Sequence, residues 1–304
     1  MYYWRTTLAW DSAECRWADS MRMETLYLRL FDVVRDARSE MGIRPEATLR
    51  FTDSLATKRL DLSFRQIVPV VFLAPDVITR HDADKMPELA SLLIRRIDQI
   101  TEKNGLGKCA EVQIDFDWAQ SNGKVYFDLL ARMAEVLHRD DRKLSTTIRL
   151  HQLALEAPPV DRGVLMCYNT GRIMDPGETN SILSLEVVEP YLRHLSGYSL
   201  PLSLALPDFG WNVVFRSGQF AFIAPGLQLT DTAMFVQLDS THFRARVYQS
   251  VPGAASATTR SDQRILPGDV IRREDSSQEL NAKVLDAIAR LRPDAVSEVV
   301  VYKN

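Results

Sequence analysis

Cysteine is scarce in this chain of 304 residues: there are three. Cys15, Cys109 and Cys167 are too few and too scattered for a disulfide framework or a zinc site. Cys109 and Cys167 sit in or beside apolar strands and read as buried thiols. No apolar run approaches the ~20 residues of a membrane span, so none is expected. Neither sign of charge is in excess. Lys and Arg number 37 against 40 Asp and Glu, a net charge of −3, which gives no reason to invoke nucleic acid or anionic lipid. No Gly-x-Gly-x-x-Gly follows a strand, and no local ligand spacing supports a metal, so neither cofactor nor metal is expected. The opening Met1-Tyr-Tyr-Trp-Arg5 carries no basic-then-apolar leader. Strand-like residues begin at position 2, which suits an exported protein (periplasmic, extracellular or lipid-anchored) whose leader was trimmed and replaced by Met1.

What is present is ample apolar content, 46%, and one stretch that organises the rest. In Glu111-Val-Gln-Ile-Asp115-Phe-Asp117-Trp118-Ala119, the polar residues Glu111, Gln113, Asp115 and Asp117 alternate with Val112, Ile114 and Phe116. A period of two is a β-strand with two different faces. Helical patterns flank it on both sides, so the strand belongs to a parallel sheet with helices over its apolar face. Its polar face then looks into the lumen of a closed barrel. Carboxylates there are costly to bury without partners.

Tyr2-Tyr-Trp-Arg-Thr-Thr7 reads as the first strand and Thr25–Asp32 as the second. In the latter Leu26, Leu28 and Leu30 share one face, and Tyr27, Arg29 and Phe31 the other. Residues 33–65 are charged and poorly periodic and yield no helix. Ile67–Ala74 is an apolar third strand. Met86, Leu89, Leu93, Ile97 and Ile100 mark an amphipathic helix, as do Val125, Leu129, Met133, Val136 and Leu137. Leu144–His151 repeats the alternation, with Ser145, Thr147, Arg149 and His151 on one face. Strand six is Gly163–Asn169, a helix follows around 180–195, and strand seven is Leu202–Leu206. Short β pieces between 212 and 251 read as an antiparallel insertion. A Gly/Ala/Ser/Thr-rich loop at about 252–263 is expected to be mobile. The helix with Leu280, Val284, Ile288 and Leu291 precedes an eighth strand, Ser297–Tyr302. The pattern is a (β/α)8 TIM barrel, 1–211 and 252–304, with a small β-rich insertion at 212–251 after strand seven. The alternative, an open doubly wound sheet, has the inward polar faces against it.

Barrel enzymes keep their chemistry where the C-terminal strand ends converge. Those ends are Arg5, Asp32, Asp117, Trp118, His151, Gln152, Tyr168, Asn169, Asp208 and Trp211, with Arg29, Asp115 and Arg149 deeper. The deeper set reads as an ion-pair network as readily as a site, since buried arginines need carboxylates. Tryptophans beside carboxylates suit sugar rings, which stack their apolar faces and bond through their hydroxyls. Packing of Trp118 and Trp211 under loops, and a structural His151, are the plainer alternatives.

The Ile114-Asp-Phe-Asp117-Trp118 stretch resembles the fourth-strand signature Asp-Gly-x-Asp-x-Asp-x-Glu of family 18 chitinase-type glycosidases. Tyr2-Tyr-Trp4 resembles that family's first strand, Met166-Cys-Tyr168-Asn169 its sixth-strand Met-x-Tyr-Asp, and Ala205–Gly210 its seventh-strand Gly-x-Pro-x-Tyr-Gly. A closer resemblance is to exported bacterial barrel proteins of unassigned function that share the Tyr-Tyr-Trp-Arg-Thr-Thr opening and the Asp-x-Asp-Trp strand. The mouth's aromatic and carboxylate content, with the resemblance beside it, points to a carbohydrate ligand, with Asp117, Asp208 and Tyr168 as candidate catalytic groups. Asp115, Trp118, His151, Gln152, Asn169, Trp211, Arg5 and Asp32 are then candidate substrate contacts. The departures are sharp. The family's proton-donating Glu falls on Ala119, its first Asp on Val112, and its sixth-strand Asp on Asn169. Three readings follow: a glycosidase that takes its acid from Asp117 or Asp208, a barrel that binds glycans without cleaving them, or a scaffold with 212–251 as interface.

Overall fold

The computed structural model describes residues 1–52, 54–251 and 263–303. Of the loop at 252–263, all but Gln263 lies outside the described residues. The chain divides into two compact units, 1–166 with 191–206 and 288–304, and 167–190 with 207–287.

The first unit holds a closed barrel of parallel strands: β1 (Tyr2–Tyr3), β2 (Thr25–Arg35), β3 (Gln66–Leu73), β4 (Glu111–Asp115), β5 (Lys143–Arg149), β6 (Arg162–Met166), β7 (Leu202–Pro207) and β8 (Val299–Tyr302). The strands follow one another in chain order, and β1 closes the ring by pairing with both β8 and β2. Helices alternate with the strands along the chain: α1 (Ser12–Ser20), α2 (Ser54–Ser63), α3 (Met86–Lys103), α4 (Gly123–His138), α5 (Leu185–Leu192) and α6 (Gln278–Leu291). The fold is a (β/α)8 TIM barrel. Leu89, Leu93 and Ile97 of α3 and Leu129, Leu130 and Met133 of α4 pack with Val112 and Ile114 of β4 in one core between helices and strands. That burial, roughly 1.5–3 kcal/mol per large apolar side chain, fixes which face of each strand turns outward.

The opposite faces meet inside the barrel, as the alternation predicts. The Tyr2 hydroxyl of β1 donates to Gln113 Oε1 of β4 at 2.7 Å, and Gln113 Nε2 donates to Ser145 of β5 at 3.3 Å. Since β1 and β4 are not neighbours in the sheet, the first of these bonds crosses the lumen.

At the N-terminal strand ends the lumen is plugged. Arg162 Nε donates to Glu111 at 3.0 and 3.1 Å, and its Nη1 reaches Glu298. Its Nη2 donates to the Tyr27 hydroxyl at 2.7 Å, and Ser203 donates to Glu298 at 2.8 Å. Burial pushes the Tyr27 phenol far above its ordinary value, so it stays neutral.

Two expectations change here. Beyond Arg29 the register of β2 against β3 slips, so that Arg29 opposes Val70, Phe31 opposes Val71 and Asp32 opposes Phe72. Leu30 is the extra residue of a bulge, and the strand's parity flips. Phe31 therefore turns outward into the helix-side core, while Asp32 joins Arg29 on the inner face. Residues 33–65, which carry no periodic signal, hold α2 and a strand, Ile43–Glu46, that folds back antiparallel on β2.

In the second unit, a five-stranded antiparallel sheet contains Gly210–Arg216, Gln219–Ile223, Phe235–Gln237, His242–Ala245 and Val270–Asp275. The last of these pairs with both Gly210–Arg216 and His242–Ala245, so the sheet begins before residue 212 and extends past 251. One face packs Val214, Phe222, Phe235, Phe243 and Ile271 together. Arg272 and Glu274 form a fully buried ion pair at 2.6 Å. Arg272 also donates to the carbonyls of Asp175 and Ile173 at 2.6 and 3.0 Å. Every charge there is matched, the condition under which such a pair is tolerated.

Candidate functional site

The C-terminal end of β4 decides what the barrel mouth can do. Asp115, the last residue of the strand, is buried. Its Oδ1 accepts from the Thr147 hydroxyl at 2.6 Å and from Arg149 Nη2 at 2.9 Å, both on the adjacent β5. Across the mouth Asp32 is held by Arg29, with Nε to Oδ1 at 2.7 Å. The inner carboxylates are thus each matched by one guanidinium, as the ion-pair alternative anticipates.

Two residues beyond Asp115 the environment changes. The Asp117 side chain is 51% exposed, and its contacts are loose: His151 Nε2 at 3.6 Å and Gln152 Nε2 at 3.4 Å. His151 is similarly open, at 49%. This pair is solvated, free to reach a ligand, and oriented by a neighbour.

Gln152 is that neighbour. It is fully buried, donating to the Trp118 carbonyl at 2.8 Å while its Oε1 accepts from the Arg149 backbone at 2.7 Å. Its amide is consumed in tying the end of β4 to the end of β5, and being fully buried it offers no surface to a substrate. Trp118 is likewise corrected. It is 2% exposed, its ring 5.0 Å from that of Phe127 and against Gly123 on α4. A side chain 2% exposed has no ring face open to a sugar. Arg5 also leaves the mouth: it is exposed, pairs with Glu14 of α1 at 3.2 Å and lies over the Tyr3 ring.

The aromatic residue that the mouth does present is one the sequence reading passed over. Trp4, half-buried just past β1, has its ring within 6.4 Å of Phe72, 6.2 Å of Tyr302 and 6.1 Å of Tyr2. The Arg29 guanidinium sits 5.6 Å from it. Its signal was parity, since Tyr2 and Trp4 share a strand face, and that face turns inward. Burial pushes the Tyr302 phenol up to about 12, so it remains a neutral hydroxyl.

In the second unit Tyr168 is half-buried, its ring edge-on to Phe209 at 6.3 Å, and Phe209 lies 5.2 Å from Trp211. Trp211 Nε1 donates to Glu274 at 3.0 Å, which fixes the indole. Asp208 is exposed. Asn169 is exposed with φ +53, a left-handed position that Asn tolerates better than most residues. A Cβ at Gly210 would meet the Glu274 carbonyl at 2.9 Å and the Asp275 carboxylate at 2.1 Å, so a larger residue there would force both to shift.

Among the described residues no group of three or more His, Cys, Asp or Glu is placed to hold a metal ion, and no helix is long and apolar enough to cross a membrane.

No protein-family model matches the chain, and no curated protein matches it by sequence. Solved structures do. The spore cortex-lytic enzyme SleL of Bacillus cereus superposes with a TM-score of 0.56 at 14% identity, covering 99% of this chain and 69% of that one. For the GH18 chitinase ChiB of Flavobacterium johnsoniae the TM-score is 0.53 at 12% identity, covering 99% and 86%. The chain resembles family 18 chitinase-type barrels in fold. A class V chitinase from Nicotiana tobaccum agrees, with a TM-score of 0.53 at 13% identity, covering 99% of this chain and 92% of that one. At these identities the likeness is one of fold, and function must be argued from the residues.

Proposed function

We propose that the protein is a glycoside-hydrolase-like barrel that binds a carbohydrate at the C-terminal mouth without hydrolysing it. The observation that carries this reading is the state of the carboxylates around Ala119. Where the resembled family holds its proton-donating Glu, this chain has a methyl group. The inner carboxylates Asp32 and Asp115 are each committed to an arginine. Glycoside cleavage needs a carboxylic acid at the leaving oxygen and a second group opposite. What is left supports recognition: a half-buried Trp4 ring beside Phe72 and Tyr302, with the Asp117–His151 pair as hydrogen-bonding groups. Export to a periplasmic, extracellular or lipid-anchored setting, where such a barrel would meet glycans, is part of this reading.

A second reading has one observation in its favour. Asp117 is a carboxyl open to solvent and 3.6 Å from His151, the one polar pair at the end of β4 that a glycosidase could draw on. A glycan-array screen of the purified protein, with products followed from every hit, separates the two. Binding without released sugar is the expected result. Released sugar that disappears in Asp117→Asn would establish the glycosidase instead. Silence across the array would leave a scaffold as the better account.

A further inference from the structure

The outward face of β8 differs from that of the other barrel strands. Glu298 and Tyr302 point into the lumen, Glu298 toward Arg162 and Tyr302 toward the rings of Tyr2 and Trp4. Alternation then turns Val299, Val301 and Lys303 outward. Elsewhere the outward positions are closed. Leu28 of β2, Val71 of β3, Ile114 of β4, Ile148 of β5, Leu165 of β6 and Leu204 of β7 are completely buried. Val299, by contrast, is 39% exposed, and Val301 is half-buried. Lys303 lays its ammonium over the Trp17 ring of α1 at 4.1 Å, and no carboxylate among the described residues pairs with it. A recess of about 300 Å³, with Ala13 and Trp17 of α1 and Tyr3 of β1 in its lining, meets this strip at Lys303.

The chemistry of the strip says what fits it. β8 is hydrogen-bonded to β1 on one side and β7 on the other, so no strand edge is open and an added strand has nothing to pair with. The valine floor has no hydrogen-bonding group to orient a small polar ligand. A helix satisfies its own backbone and needs only an apolar stripe to pack. The charge at the end of the strip is a cation without a carboxylate, so an acid on the flank of that stripe gains a partner. A second copy of this chain cannot offer the stripe of α3 or α4, because those residues are spent on its own core. We propose that the outward face of β8 is a docking strip for an amphipathic helix of a partner protein. The apolar stripe of that helix lies on Val299 and Val301 beside Trp17, and an acidic residue on its flank meets Lys303. The strip faces away from the lumen, so it is separate from any glycan bound at the mouth.

The test is an NMR titration of the full chain, its valine methyls labelled with 13C, with a designed peptide of about 18 residues, long enough to hold a helix. The peptide carries a leucine stripe flanked by glutamate. One control has the same composition with the stripe scrambled, and a second has lysine in place of glutamate. Saturable shifts of the Val299 and Val301 methyls are expected, with binding about tenfold weaker for the scrambled control and about threefold weaker for the lysine version. Val299→Asp, at an exposed position, should weaken binding about tenfold with thermal unfolding unaltered. Lys303→Glu should reverse the preference between the two flanks. Methyls unmoved by the glutamate peptide overturn the proposal, as does a scrambled peptide that binds equally well or a flank preference that survives Lys303→Glu. Methyls that shift with protein concentration alone would overturn it too, by putting a second copy on the strip.

Discussion

The two ends of β4 carry the same kind of residue in opposite circumstances. Glu111 at the N-terminal end is buried and grips Arg162, which in turn reaches Glu298 and Tyr27. Asp117, just past the C-terminal end, is half exposed and touches His151 and Gln152 only loosely. Both are acids on the lumen-facing parity of one strand, so periodicity cannot separate them. Saturation of their hydrogen-bonding capacity does. A carboxylate with every lone pair spent on strand neighbours is mortar; one with solvent and a histidine beside it is available for work. The same contrast sorts Trp118, packed into α4, from Trp4, which lies over the mouth.

The strongest way to break that sorting is Trp118→Ala. If the ring is core, the cavity left behind should cost about 3–5 kcal/mol in urea or guanidinium unfolding, and carbohydrate affinity should change only as far as the fold loosens. Affinity lost with stability kept would return Trp118 to the mouth. Next in size is Arg162→Met, which strands Glu111 and Glu298 at the closed end. A loss of about 3 kcal/mol is expected, read as a lower denaturation midpoint at unchanged m-value. A near-neutral result would mean that the plug contributes little and that the two ends differ less than their geometry suggests.

How much of this was legible in the sequence follows from the same distinction. The alternation in 111–117 and 144–151 conveyed parallel strands with a polar lumen, because burial of Val112, Ile114 and Ile148 against helices leaves one choice for their neighbours. Three things were hidden. Among its described side chains, α2 buries Ala56, Thr57 and Leu60, too thin a stripe for a periodic signal. Val270–Asp275 reads as a charged run, yet Arg272 and Glu274 neutralise one another and permit full burial inside a sheet. The bulge at Leu30 inverts parity without any residue type announcing it. In the last two cases pairing with other strands overrides what neighbouring residues imply.

A smaller effect refines the comparison, because the open end holds a further closed carboxylate besides Asp32 and Asp115. Asp82, in the loop after β3, is buried and bound by Arg35 from the end of β2, by Lys85 at 3.0 Å and by the Thr79 hydroxyl at 2.7 Å. Burial pushes its carboxyl up, but the hydrogen bonds from Arg35, Thr79 and Lys85 outweigh it and hold it well below the usual range. A depressed folded value means that the stabilisation is complete above the unfolded value, ~4 for Asp, and is lost as pH falls from there through the folded value. The stability difference between wild type and Asp82→Asn should therefore be about 1 kcal/mol near neutrality, discounted for the partly exposed cations, and should shrink below about pH 4. A difference that grows on acidification would contradict the sign.

The smallest expected change in stability belongs to Asp117→Asn, and its smallness is the point. Asp117 makes no contact shorter than 3.4 Å to Gln152 and 3.6 Å to His151, and half of its side chain faces solvent. Removing its charge should alter unfolding free energy by no more than about 0.5 kcal/mol. The isostere keeps an acceptor for Gln152, so the strut between β4 and β5 stays in place. Any effect on glycan affinity then reports a lost ligand contact rather than a loosened barrel. Stability held with affinity reduced would mark Asp117 as a residue kept open for a ligand. A drop in stability comparable to that of Arg162→Met would instead place it in the same structural class as Glu111, and the functional reading of the open end would move to Trp4.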